Sequence, residues 1–211
     1  MKKRILLPAL FACLAGCIAA GCILAGCGST PDPPAADPAS VNRAAKDAEA
    51  QQAAEAVLGK SAEVLAHGDL AHSGSEQVFA VRRLGNANPG EAGSASSRSL
   101  EIVRAAIIEK SSEKWSEILL CDEHLKNPNG YLGGAPIERV SGWRMDYDPD
   151  TANGLEMKFT PGASGLEGGK AGRTIIVRWN AKTKRYQSLD QSQEKYLNEI
   201  PTLETPESIL K

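Results

Sequence analysis

Between Trp143 and Trp179 apolar and polar residues alternate with a period of two, and this pattern constrains the fold more than any other feature of the chain. Trp143, Met145 and Tyr147 alternate with Arg144 and Asp146. Leu155, Met157 and Phe159 alternate with Glu156 and Lys158, and Ile175, Val177 and Trp179 with Thr174 and Arg178. Residues two apart on an extended chain share one face of a sheet, so the pattern predicts antiparallel strands with one face buried. These nine apolar residues are expected to form one core face. Ile102 to Ile108 and Trp115 to Cys121 are more continuously apolar and read as central strands. Val64 to His67 and Val78 to Val81 read as a further pair.

The connections fit hairpins: Lys110-Ser111-Ser112-Glu113, Asp148 to Gly154, and Asn180 to Lys184. Two linkers, Gly85 to Ser99 and Pro161 to Gly172, are long and rich in Gly, Ser and Ala. They lack aromatics and clustered charge, which favours mobile segments over functional ones. The tail Gln191 to Ile200 reads as a short helix before Pro201.

Ahead of the strands lies an alanine-rich helix, Pro38 to Leu58. Asp37 is placed to cap it, Pro38 suits the first helical position, and Gly59 is placed to end it. Arg43 and Asp47 stand four apart, the spacing of an intrahelical ion pair. Only Val41, Val57 and Leu58 on its apolar face are larger than alanine, so it reads as a spacer docking at most by its last turn. Large residues do not recur in heptads, which argues against a coiled coil. The fold class is therefore α+β: a mostly antiparallel β-sheet built of hairpins, preceded by an Ala-rich helix.

The first residues carry a different message. Lys2-Lys3-Arg4 is followed by residues 5–26, apolar or small almost throughout and ending in Leu24-Ala25-Gly26 before Cys27. The layout is that of an export signal, and Leu24-Ala25-Gly26-Cys27 resembles the lipobox of bacterial lipoproteins. The resemblance implies cleavage before the cysteine and lipid attachment to its thiol. Leu14-Ala15-Gly16-Cys17 is a second copy, so Cys17 is the alternative acceptor. Cutting there would leave Ile18, Ile23 and Leu24 at the new terminus, whereas cutting at Cys27 leaves the polar run Gly28-Ser29-Thr30-Pro31. Cys27 is preferred. An uncleaved membrane anchor has the required length, about 20 residues, but Pro8 and the Gly/Ala-rich centre argue against it. The expected organisation is signal peptide 1–26, disordered tether 27–37, spacer helix 38–59 and antiparallel β-rich domain 60–211. After the signal, Cys27 and Cys121 are the only cysteines. With Cys27 acylated, no intramolecular disulfide forms and the domain relies on its core.

Removing the signal takes three of the 24 Lys and Arg and none of the 26 Asp and Glu, so the mature net charge is −5. A mildly acidic surface without basic clusters argues against nucleic acid and against electrostatic docking to anionic lipid. The membrane partner is therefore reached through the N-terminal lipid. In the sorting rule of enteric lipoproteins, Asp after the lipidated cysteine retains a protein in the inner membrane. Gly28 here implies the outer membrane.

Four stretches carry residue types suited to chemistry. Gly68-Asp69-Leu70, Ser73-Gly74 and Val78-Phe79-Ala80-Val81 resemble one unit of the FG-GAP and VCBS-type calcium-loop repeats over residues 68–81. At the positions where ligands alternate stand Asp69, Ala71, Ser73 and Gln77, so only one carboxylate remains. His67, Asp69 and His72 have ligand types suited to zinc but no diagnostic spacing. Cys121-Asp122-Glu123-His124 sets a thiol beside acids, which disfavour a thiolate, and at the end of Ile118-Leu119-Leu120, which suggests burial. Asn129 to Pro136 is Gly-rich but lacks the Gly-Lys-Ser/Thr ending of a phosphate loop. No catalytic residue, cofactor or metal is expected. The reading is a lipid-anchored envelope lipoprotein with a non-catalytic binding or structural domain. The alternatives are a periplasmic enzyme using Cys121 or His67, Asp69 and His72, and an inhibitor of a cell-wall enzyme acting through an exposed loop at Asn127 to Pro136.

Overall fold

The computed structural model describes residues 38–85, 99–162, 173–190, 192 and 195–201. Cys17, Cys27, the signal, the tether and the interiors of both long linkers lie outside them. Among the described residues the chain is mostly antiparallel sheet with one helix, α1 (Pro38–Leu58). The helix spans the predicted residues. Gly59, at φ +87°, turns the chain out of it while its N–H still reaches the Glu55 carbonyl at 2.9 Å.

Ten strands follow: β1 (Glu63–Gly68), β2 (Gln77–Arg83), β3 (Ser99–Ser111), β4 (Lys114–Cys121), β5 (Leu125–Asn127), β6 (Gly130–Tyr131), β7 (Trp143–Thr151), β8 (Gly154–Pro161), β9 (Ile175–Asn180) and β10 (Arg185–Leu189). The three predicted hairpins are present as β3–β4, β7–β8 and β9–β10. The first turns on Ser112 and Glu113, with φ of 48° and 67°, the positive pair that matches the twist of a tight hairpin.

The sheet branches at β3. Along one edge it pairs with β2. The other edge is shared, with Ser99–Ile102 on β7 and Ala105–Ser111 on β4. Where the partner changes, one step along β2, Arg82 to Arg83, matches two along β3, Arg104 to Ile102. This is a bulge at Val103, and it reverses which parity faces inward. Ala105 and Ile107 point into the core on one side of the bulge, Ile102 on the other.

The two arms curl toward each other. Asn127 Nδ2 donates to the Tyr186 carbonyl at 3.0 Å, and Ser188 Oγ to the Gly133 carbonyl at 2.6 Å. Residues 195–200 do not form the predicted helix. They pair instead with both sheet ends, Tyr196 with Leu189 and Ile200 with Tyr131, covering edges that would otherwise present open backbone groups. Glu199 Oε1 accepts from Arg185, Asn127 and Gln187 there.

Large side chains fill the inner face. Phe79, Trp143, Met145, Leu155, Met157, Phe159, Val177 and Tyr186 are fully buried. Of the nine predicted core residues, Tyr147 and Trp179 are only partly buried, packed against the rest. At Gly154, φ +80°, a Cβ would stand 2.3 Å from the Leu70 carbonyl. Glycine there lets the loop after β1 hydrogen-bond to the Leu155 N–H at 2.7 Å. The outer face of β2–β3–β4 carries Val78, Ala80, Ala106, Ile108 and Leu120 and is covered by α1 through Ala50, Ala54 and Leu58. The helix thus docks over more than two turns rather than its last, because small residues on both surfaces permit close approach.

Candidate functional site

Local structure takes up or disperses the residues of all four sequence candidates. Asp69 spends both carboxylate oxygens on its own turn, accepting from the Ser73 and Gly74 N–H groups at 2.8 and 2.9 Å. Gln77, at another loop position of the calcium-repeat resemblance, is buried. It accepts from the Tyr186 hydroxyl at 2.9 Å and donates to Glu109 at 2.8 Å. His67 bonds Asp47 of α1 at 2.9 Å, while His72 lines a separate cleft with Glu109, Trp179 and Lys184. The structure therefore does not bring His67, Asp69 and His72 together. Among the described residues, no three His, Cys, Asp or Glu side chains are grouped to hold a metal ion.

Cys121 lies in the inner core, and burial pushes its thiol pKa well above the ordinary value, with Asp122 adding to the rise. The thiol is thus held protonated and out of reach. Asn127 to Pro136 is exposed only in part: Pro128, Asn129 and Gly134 are exposed, while Asn127, Gly130, Leu132 and Gly133 are buried.

A site that the sequence reading missed lies at the bulge. Past the end of the α1-covered surface, a cleft of about 660 Å³ is lined by Arg82, Val103, Arg104, Asp122, Glu123, Arg139, Val140 and Ser141. Backbone bonds tie part of each wall. Arg82 and Arg104 face each other across β2 and β3, and Val140 donates to the Glu123 carbonyl at 2.8 Å. Asp122 is engaged locally, accepting from the His124 N–H at 2.9 Å and from Lys126 at 3.0 Å. Burial opposes its ionisation, but these donors and the charges of Lys126 and Arg104 outweigh that, and its pKa is lowered. Glu117, by contrast, is raised, chiefly by burial and also by Asp122, against the pull of Lys126 and Arg104. Glu123 pairs with Arg139 at 3.2 Å on the exposed rim.

The arginines of β2 differ sharply. Arg83 holds Glu63 through two bonds of 2.6 and 2.7 Å. For Arg82 the structure shows no side-chain hydrogen bond or ion pair among the described residues. Arg104 Nε is shut off from solvent without an acceptor. Sequence offered one hint: Arg104 interrupts the apolar run Ile102 to Ile108. Its partner could not be named without the β2–β3 register.

Comparison of the chain with protein-family models, curated proteins and solved structures finds no match. Among the described residues no helix is long and apolar enough to cross a membrane.

Proposed function

We propose that the chain is a lipid-anchored lipoprotein of the cell envelope, with a non-catalytic β-rich binding domain carried on a tether. The attachment half rests on Leu24-Ala25-Gly26-Cys27 and the polar run after it, with Cys27 as lipid acceptor and Gly28 directing the protein to the outer membrane. Two or more acyl chains hold a protein stably, at about 0.8 kcal/mol per buried CH₂. The binding half is carried by one observation, the cleft at the β3 bulge. One wall is the paired strands β2 and β3, and the facing loop is tied by the Val140 N–H to the Glu123 carbonyl, which limits the ordering needed when a ligand enters. The burial of Cys121 weighs against a thiol-dependent enzyme.

The test is metabolic labelling with a radioactive fatty acid, followed by fractionation. Wild type and Cys17→Ala should be labelled and travel with outer-membrane markers. Cys27→Ala should be unlabelled and released or accumulated as precursor. An unlabelled wild type would overturn the anchor, label retained in Cys27→Ala but lost in Cys17→Ala would move it, and sedimentation with inner-membrane markers would overturn the destination.

A further inference from the structure

Arg82 and Arg104 form a cross-strand pair of like charge. Side chains directly opposite in an antiparallel pair stand about 5 Å apart at Cβ, and two cations so placed repel unless something lies between them. Their register is direct, and among the described residues no acid hydrogen-bonds either guanidinium, although Asp122 and Glu117 stand near enough for the Arg104 charge to favour their ionised forms. The acids of the same cleft are committed elsewhere, Asp122 to Lys126 and the His124 N–H, Glu123 to Arg139. Part of the Arg104 guanidinium has lost its water without gaining an acceptor. A fold that buries a donor without a partner and sets a second cation beside it is destabilised by both, and a bound anion would relieve both at once.

The bulge explains how the sheet accommodates this. At Val103 β3 leaves β4 and takes up β7, so the edge of β3 opposite β2 is unpaired beside Arg104. Guanidinium forks match planar and tetrahedral oxyanions through paired N–H bonds. A carboxylate has a single edge of two oxygens. A phosphate group can offer one edge to each of two arginines.

We propose that the cleft binds a phosphate group between Arg82 and Arg104. This rests on the reading of the domain as a binding module, not on the lipid anchor. Free phosphate esters and phosphate-bearing lipid headgroups share this chemistry.

The full chain, purified in a non-ionic detergent, would be titrated with inorganic phosphate by calorimetry at constant ionic strength, with acetate as the planar control. Arg82→Gln and Arg104→Gln should each weaken phosphate binding at least tenfold and leave the fold intact. Without phosphate, their melting temperatures should equal or exceed that of the wild type, because a repulsion has been removed. Phosphate raises melting temperatures unspecifically as well, so the rise should be larger in the wild type than in either variant. A headgroup source would appear as retention on phosphatidate vesicles but not on phosphatidylcholine vesicles, lost in both variants. Should Arg104→Gln fail to fold, Arg82→Gln, whose guanidinium has no buried atom left without a partner, carries the same test. Equal affinity for phosphate in wild type and Arg82→Gln, or no phosphate and no phosphatidate binding, would overturn the proposal. Acetate bound as tightly as phosphate, and lost in Arg82→Gln, would overturn the phosphate assignment while leaving a binding cleft in place.

Discussion

The two faces of the central strands are held by different means. On the inner face, volume does the work: Trp143, Phe159, Phe79 and Tyr186 are sealed from water, and edge-to-face contacts such as Trp143 with Phe159 at 6.2 Å join neighbouring strands. On the outer face, α1 is held by nearness. Ala50, Ala53 and Ala54 are buried, and each contributes little area alone. What alanine supplies is a short distance between helix and sheet, flanked by hydrogen bonds such as Gln51 to the Ala62 carbonyl at 3.0 Å. Large residues tolerate loss badly, and small ones tolerate gain badly. The two faces therefore predict opposite sensitivities.

The largest effect belongs to the inner face. Trp143→Ala removes a fully buried ring and the bond from its indole N–H to the Asp122 carbonyl at 2.7 Å. It should cost about 3–5 kcal/mol in urea unfolding. Trp179→Ala should cost clearly less, because that ring is only partly buried. Equal losses at the two sites would contradict the placement of the core.

On the outer face the damaging change is an addition. Ala54 is completely buried between α1 and the sheet, so Ala54→Leu should destabilise by about 1–3 kcal/mol through overpacking, although leucine is nearly as good a helix former. A leucine tolerated without loss would mean that the helix rides loosely on the sheet.

This asymmetry also decides what was legible in the sequence. Strands β7, β8 and β9 announce themselves because large apolar residues alternate with charged ones. The docking of α1 does not, since a stripe of alanines has almost no hydropathic contrast with a solvated alanine helix. The bulge at Val103 is hidden for a related reason. Within Ile102 to Ile108 nearly every residue is apolar, so a change of phase leaves no mark in the pattern. The cleft was illegible with it, because Arg82 and Arg104 become neighbours only through the register of two strands. The tail shows no strand signal in the sequence because its pairing partners, Leu189 and Tyr131, lie on opposite ends of the sheet.

Cys121 tests the inner face without large steric change. Folded, it should label slowly with a thiol reagent at neutral pH, and quickly in urea, since burial keeps the thiol protonated. Cys121→Ser should cost about 1–3 kcal/mol if the new hydroxyl finds no partner in a site lined by apolar side chains. Rapid labelling of the native protein would reopen the thiol-enzyme reading.

The smallest effect concerns the polar fastening of α1. Glu49 Oε1 accepts from Lys110 Nζ at 2.7 Å and from the Trp115 indole N–H at 3.2 Å. The Lys110 bond lowers the Glu49 pKa below its ordinary 4.5, outweighing desolvation, with Trp115 assisting. The Glu49 bond likewise raises Lys110 above its ordinary 10.5. A depressed carboxylate contributes stability that is present above its unfolded pKa and lost as pH falls through the folded one. A raised amine contributes stability present below its unfolded pKa and lost as pH rises through the folded one. The fastening is therefore complete between the two ordinary values and fades outside them. Glu49→Gln should lower the melting temperature slightly at about pH 7, and the gap to wild type should narrow as pH falls through the depressed folded pKa and the carboxyl takes up a proton. Added salt should shrink the gap at neutral pH as well, because the pair lies near the surface. A gap that persisted at acid pH would mean that Glu49 holds the helix by its bond to Trp115 and its packing, not by its charge.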